Sequence, residues 1–298
     1  MRSSRPVSPR ASRAWRSRLG TVTPYALLAP GILWLLIFYV VPVAQMFIFS
    51  ISTGSLETGF QITYSLDAYT EGLSRYGEQF GNSLVYGGTA TILTLLIGFP
   101  VAYTIAFRGG RYKNLLLFLV IAPFFTSFLI RTISWKILLG DEGPLLGPLK
   151  HVLGILPGDA SLVSTPYAVI AGLTYNFLPF MILPLYVALE KIDIRLIEAA
   201  SDLYASRWEA FRRITFPLAL PGVFAGTLLT FIPAMGDFVN AQLLGSPQTS
   251  MIGNVIQNRF LIQNDYPTAA ALSFVLMAGI LVAVLAYARV LGSEQLTG

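Results

Sequence analysis

Residues 192–221 read IDIRLIEAASDLYASRWEAFRRITFPLALP, the one long amphipathic and charged stretch between the apolar runs of this chain. Asp193 is a suitable N-cap for a short helix, because its side-chain oxygen can accept from an otherwise unpaired first-turn amide. Leu196, Ala199, Ala200 and Leu203 then recur at i, i+3, i+4 and i+7, which predicts one small apolar face, with Arg195, Glu198 and Asp202 on another. Ser206 and Glu209 have the S-x-x-E spacing of a capping box and predict a second helix, whose bulky apolar residues are Trp208 and Phe211. Pro217 closes the unit. The pattern is a helix–turn–helix with two alanines at its centre, small enough to let another surface approach closely. An amphipathic surface helix can also rest on lipid headgroups. Here the apolar face is narrow and interrupted, which suits protein docking better.

The flanks of this stretch fix the fold class. A bilayer core of about 30 Å takes about 20 apolar residues at 1.5 Å each. Six runs meet that length, at 25–50, 82–107, 115–139, 166–189, 218–236 and 267–290. Hydrophobic residues make up 54% of the 298 positions and charged residues 12%, against roughly 25% charged in a soluble domain. The expectation is an all-α polytopic membrane protein with six transmembrane helices in residues 25–291. The quoted stretch, 192–217, joins spans four and five; residues 1–24 form a basic arm and 292–298 a tail.

Cation placement gives an orientation. Arg2, Arg5, Arg10, Arg13, Arg16 and Arg18 precede the first run, with no acid among them. Arg108, Arg111 and Lys113 join spans two and three; Lys191, Arg195, Arg207, Arg212 and Arg213 join spans four and five. The alternate segments carry Glu57, Asp67, Glu71, Glu78, Asp141, Glu142, Asp159 and Asp265. Both termini and the 192–217 segment are thus expected on the cytoplasmic side of the cell membrane. The first run exceeds a signal-peptide core of 7–15 residues and reads as an uncleaved span. The net charge of +5 is accounted for by topology, with the arm on the anionic inner leaflet, so no nucleic-acid partner is implied.

Chemistry on a substrate is poorly supported. There is no cysteine, and the single histidine, His151, lies in a Gly/Pro-rich loop without a nucleophile elbow. No metal site is read from the sequence. No G-x-x-x-x-G-K-[ST] occurs, so the chain has no phosphate-binding loop for ATP. Pro30, Pro42, Pro100, Pro123, Pro179, Pro184 and Pro233 fall within the runs. They fit either ordinary membrane-helix composition or bent helices lining a pathway. Gly222 and Gly226 form a G-x-x-x-G that permits close helix packing.

Glu198-Ala199-Ala200, followed by Ala205-Ser206, Trp208, Phe211-Arg212-Arg213 and Thr215-x-Pro217-x-x-x-Pro221, resembles the EAA motif of binding-protein-dependent ABC importer permeases. The resemblance implies the type I importer permease fold and a non-catalytic subunit. It implies that Glu198, Ala199, Ala200, Asp202, Tyr204, Ser206, Trp208 and Phe211 form coupling helices seated in a cleft of an ATPase. ATP and Mg²⁺ then sit on two copies of that cytoplasmic ATPase, beside a second homologous permease and an extracytoplasmic substrate-binding protein. Tyr204 stands where the family usually has glycine. A tyrosine in the left-handed conformation costs roughly 1–2 kcal/mol, so either the turn differs or the ring fills a matching gap on the ATPase.

Two further stretches resemble the spermidine/putrescine permeases: Pro123-Phe124-Phe125-Thr126-Ser127 with Arg131, Trp135 and Leu138-Leu139, and Gly236-Asp237-Phe238-Val239 with Leu243-Leu244-Gly245. Permeases for ferric iron, phosphonates and other small solutes share parts of both. Arg131, Trp135, Tyr175, Asp237 and Phe238 are the candidate pathway or gate residues. Asp237 either receives a cationic substrate or pairs with Arg131 to fix a gate. Trp135 and Tyr175 can hold a cation on their ring faces, and Trp135 equally fits an interfacial anchor. Arg131 and Lys136 would repel a polycation, which leaves an anionic substrate open. A secondary transporter or channel would call for an acidic relay or inverted repeats, and neither is evident.

Overall fold

The computed structural model describes residues 27–144, 146–151 and 161–292. The basic arm, Asp159 and most of the tail lie outside the described residues. Among the described residues the regular structure is helical apart from one hairpin. The first span, α1 (Leu27–Ser50), leads into the antiparallel strands β1 (Ser52–Ser55) and β2 (Gly59–Ile62). Next come α2 (Asp67–Arg108), α3 (Lys113–Ile121) and α4 (Phe128–Leu138), then the short α5 (Leu146–His151). The fourth span is α6 (Pro166–Glu190); α7 (Ile194–Asp202) and α8 (Arg207–Ala210) form the 192–217 segment. The fifth span is α9 (Phe216–Met235), followed by α10 (Val239–Leu244), α11 (Ile252–Leu261) and the sixth span, α12 (Tyr266–Gly292).

Among the described residues five helices are long and apolar enough to cross a bilayer, six if one bent pair is counted as a single span. The third span was expected to be one rod over 115–139. Instead α3 tightens into a 3₁₀ turn over Ala122–Phe125, and the chain then runs extended through Thr126 and Ser127 before α4 begins. The two segments meet at 93°. Pro123 lies in this turn and cannot donate to the helical ladder, so the break falls at the proline. The prolines within α2, α6 and α9 leave their helices continuous. Pro42 and Pro217 each follow a π-helical turn, Leu36–Val40 and Phe211–Thr215. In each case the carbonyl four residues before the proline lies in the wider turn, which relieves its clash with the ring.

Helix α2 starts fifteen residues before the expected second span and is kinked at Tyr76, where the backbone is non-helical. Its first turns, DAYTEGLSRYGEQFG, are too polar to register as a span. They are tied down at the end of the molecule opposite α7 and α8. The Arg259 guanidinium donates to the Tyr76 hydroxyl and pairs with Asp265 at 2.9 Å. Asn82 Nδ2 donates to the carbonyls of Gln248 and Ser250.

Helix α6 is the axis of the bundle, packed against both α2 and α9. Two buried clusters stack along it. One gathers Tyr86, Ala90, Val169, Leu173, Phe177, Ala234 and Leu244. The other, nearer α7, gathers Ala102, Ile105, Met181, Ile182, Leu185, Leu189, Ala219 and Val223. By contrast α1 packs on α12 and presents its apolar side chains outward, as lipid contact allows.

The G-x-x-x-G of α9 lies at the α6 contact. A β-carbon at Gly222 would fall 2.6 Å from Ala188 Cβ and 2.8 Å from the Pro184 carbonyl oxygen. One at Gly226 would fall 2.7 Å from Met181 Sδ and 3.1 Å from the Met181 carbonyl oxygen. Overpacking of this kind costs about 1–3 kcal/mol. Gly226→Val is expected to lower the melting temperature of the purified chain in lipid nanodiscs. Gly31→Val, at a position with nothing within 4 Å, is expected to leave it unchanged.

Candidate functional site

Helices α7 and α8 form a compact unit beyond the ends of α6 and α9. The Arg195 amide donates to Asp193 Oδ1 at 3.0 Å, so Asp193 caps α7. The helix is closed by the Leu203 amide on the Ala199 carbonyl and the Ala205 amide on the Ala200 carbonyl. Between them Tyr204 takes φ 59°, the left-handed conformation. The turn therefore keeps the geometry a glycine would give, and the alternative of a different turn is excluded. Its ring is 98% exposed, so no intramolecular contact offsets the backbone strain. The expected capping box is present: the Glu209 amide donates to Ser206 Oγ at 3.2 Å, and the Ser206 amide to the Glu209 carboxylate at 2.9 Å.

The expected apolar face of α7 is only partly turned inward. Ala200 is buried, whereas Leu196, Ala199 and Leu203 are exposed together with Glu198 and Asp202. Trp208 is exposed and stacks on Phe211, with ring centroids 5.5 Å apart. Phe211 faces the other way, edge-on to Phe99 of α2 at 5.5 Å and near Phe216 at 6.1 Å. It braces the unit against the membrane bundle. Glu198, Ala199, Asp202, Tyr204 and Trp208 are left as an outward surface. From Arg207 to Met235 the helix is unbroken over 29 residues, so α8 and the fifth span are one rod.

The second group of residues surrounds the break in the third span. Arg131 of α4 is 9% exposed and packs on Phe124 and Phe128. Asp237 is 8% exposed, and its Oδ1 accepts from the Asn240 amide at 2.8 Å. Among the described residues no ion pair joins Arg131 to Asp237, contrary to one of the two roles expected of that carboxylate. Its accepting oxygen is committed locally, to the first turn of α10. Trp135 and Tyr175 lie with ring centroids 5.4 Å apart, and Trp135 packs on the buried cluster around Leu173. The Phe238 carbonyl accepts from Asn254 Nδ2 at 2.8 Å, tying the start of α10 to α11. The five candidates thus divide into a cation–aromatic group, a ring pair and a capped turn, with no single convergent pocket.

A buried polar contact that the sequence reading did not single out links three of these elements. Asn176 Nδ2 of α6 donates to Asn240 Oδ1 at 3.0 Å and lies 3.3 Å from Thr132 Oγ1. All three side chains are buried. An asparagine inside the apolar run TYNFLPF was the available signal, since polar side chains at membrane depth require partners. A cleft of about 810 Å³ runs between α6 and α9, from Phe180 past Pro184 and Pro221 to Lys191 and Asp193.

Loss of an N-cap hydroxyl costs about 1 kcal/mol, equivalent to about a fivefold change in a local opening equilibrium. Ser206→Ala is expected to speed amide exchange at Trp208 to Ala210 by about that factor, with exchange in α6 unchanged.

The comparisons agree with this architecture. The family described as binding-protein-dependent transport system inner membrane component matches residues 88–291. The spermidine/putrescine transport system permease protein PotB of Haemophilus influenzae is 42% identical over 249 residues, covering 82% of this chain and 87% of that protein. PotB of Escherichia coli K12 is 40% identical over 244 residues, covering 82% and 88%. Among solved structures, a bacterial ABC transporter that imports the acidic polysaccharide alginate has a chain that superposes with a TM-score of 0.73 at 20% identity, covering 92% of this chain and 96% of that one. A chain of the inward-facing methionine transporter MetNI superposes with a TM-score of 0.55 at 19% identity, covering 74% and 97%. This multi-pass membrane chain, the permease component of an ABC importer, belongs to the binding-protein-dependent transport system inner membrane component family.

Proposed function

We propose that this permease imports polyamines, spermidine or putrescine, as one half of a translocation pathway completed by a second, homologous permease. The observation that carries the reading is the identity to spermidine/putrescine permeases across four-fifths of the chain, with the coupling unit and the bent third span both inside the matched length. Both termini and the α7–α8 unit lie on the cytoplasmic side. Two copies of a cytoplasmic ATPase hold ATP and Mg²⁺, and one of them receives the exposed surface of Glu198, Ala199, Asp202, Tyr204 and Trp208. A substrate-binding protein delivers polyamine to the opposite end, where β1, β2, α10 and α11 lie.

The continuous rod from Arg207 to Met235 carries the motion. Closure of the ATPase pair displaces α7 and α8 together, because the Ser206–Glu209 cap and the Phe211–Phe99 contact leave the unit little freedom. Displacement of α8 moves α9 as a lever, and α9 moves against α6 at the glycine contact. The bent third span and α10, linked to α6 through Asn176, are the parts placed to open and shut. Such rocking about a packed interface is an ordinary mode of conformational change.

Two measurements on the reconstituted complex test this. ATP hydrolysis is expected to rise when the binding protein is loaded with spermidine or putrescine, and not with phosphonate or ferric iron. Stimulation by another solute in place of polyamines would overturn the substrate. Glu198→Lys reverses a charge on the docking surface and is expected to leave the bundle assembled while uncoupling hydrolysis from uptake. Normal uptake by that variant would remove the coupling surface.

A further inference from the structure

Arg131 is a cation held without a counter-charge. Its guanidinium carbon lies 5.2 Å from the centroid of Phe124 and 5.6 Å from that of Phe128. Nε and Nη1 are buried with no hydrogen-bond partner, and among the described residues no carboxylate pairs with it. Taking an ion out of water is costly unless it is paired and hydrogen-bonded. Here the ring faces supply the compensation, through the attraction of a cation to aromatic quadrupoles. The rings form a connected group: Phe124 lies edge-on to Phe180 at 5.0 Å, Phe180 lies 6.1 Å from Phe177, and Phe177 lies 6.5 Å from Phe128. Phe180 also lines the α6–α9 cleft, and Phe124 is partly exposed. One ring of the group, Phe180, thus borders a space of about 810 Å³ with mostly apolar walls.

We propose that these phenylalanines form a binding site for an alkylammonium, and that Arg131 is its resident occupant. The proposal rests on the polyamine reading for its natural ligand. A ring face attracts both kinds of cation, so guanidinium and ammonium compete for the same place. Arg131 gives up little in leaving, because two of its donors gain water when they swing out. The apolar walls of the cleft suit the methylene segments of an alkylammonium and offer nothing to an inorganic cation. At rest the arginine keeps small cations out of the box. When a substrate ammonium enters, the displaced guanidinium stays close by and, together with the new charge, opposes a second cation. The same exclusion answers how an arginine and a polycation can share one pathway: they occupy the box in turn.

The test is equilibrium binding of putrescine and of tetramethylammonium to the permease pair with its ATPases in nanodiscs, without binding protein. Arg131→Gln is expected to bind both at least about fivefold more tightly than the parent complex. Arg131→Lys is expected to match the parent. Adding Phe124→Leu to Arg131→Gln is expected to return binding to the parent level. An Arg131→Gln complex that binds neither probe more tightly overturns the box, as does a gain that survives Phe124→Leu. A gain for tetramethylammonium without one for putrescine overturns the box as a polyamine site, while the polyamine reading itself stands or falls on the hydrolysis measurement. A gain for neither, with polyamine-stimulated hydrolysis intact, removes the box alone. The unmutated complex gives a second readout: saturating putrescine is expected to make Arg131 reactive toward phenylglyoxal, and unchanged reactivity counts against displacement.

Discussion

The close approach of α6 and α9 at Gly222 and Gly226 is the constraint on which the rest of the structure depends. Under the proposed function, two helices joined by the 192–217 segment can pass force from one side of the membrane to the other only if they do not slide freely. At both glycines the facing backbone or side chain of α6 would meet a β-carbon within 3 Å. The contact is thus backbone-close, and it holds α9 against the most buried helix of the bundle. Membrane helices gain little from hydrophobic association, since lipid is equally apolar. Packing at small residues must do this work instead.

From that contact the design reads in both directions. Toward the coupling end, α9 continues without a break into α8, and the π-helical turn before Pro217 lets the proline sit inside a continuous rod. The Ser206–Glu209 box and the aromatic brace of Phe211 on Phe99 fix the rod's tip. Away from the coupling end, α6 carries Asn176, whose amide gathers Thr132 of the bent third span and Asn240 of α10. A push on α8 therefore reaches the elements around Arg131 and Asp237 through one helix contact and one buried polar cluster. Tyr204 stands apart from this load path, strained in φ and almost wholly in solvent, as expected of a residue whose partner is another chain.

Local sequence patterns made much of this legible. The Asp193 cap, the Ser206–Glu209 box and the small-residue contact at Gly222 and Gly226 are each encoded within four residues, and each is found where the spacing put it. The apolar runs located the crossings for the same reason. What the sequence hid was non-local. The first turns of α2 are polar, so a criterion of apolar length passed over them. Pro123 was one of several intramembrane prolines, and nothing local separated the one at the 93° bend from those whose helices stay continuous. The two roles open to Asp237 could not be separated locally, and in the fold its Oδ1 accepts from the Asn240 amide three residues on. Asn176, Thr132 and Asn240 come together across more than a hundred residues, and only the fold brings them within hydrogen-bonding distance.

The central claim is that the α7–α8 surface is where work from a nucleotide-hydrolysing neighbour enters the chain. The most direct measurement places a photo-crosslinking amino acid at Trp208, in the complex assembled in native membranes, and identifies the attached protein by mass spectrometry. The account predicts a crosslink to the cytoplasmic ATPase subunit. A crosslink to the substrate-binding protein, or none to the ATPase in an assembled and active complex, would contradict it.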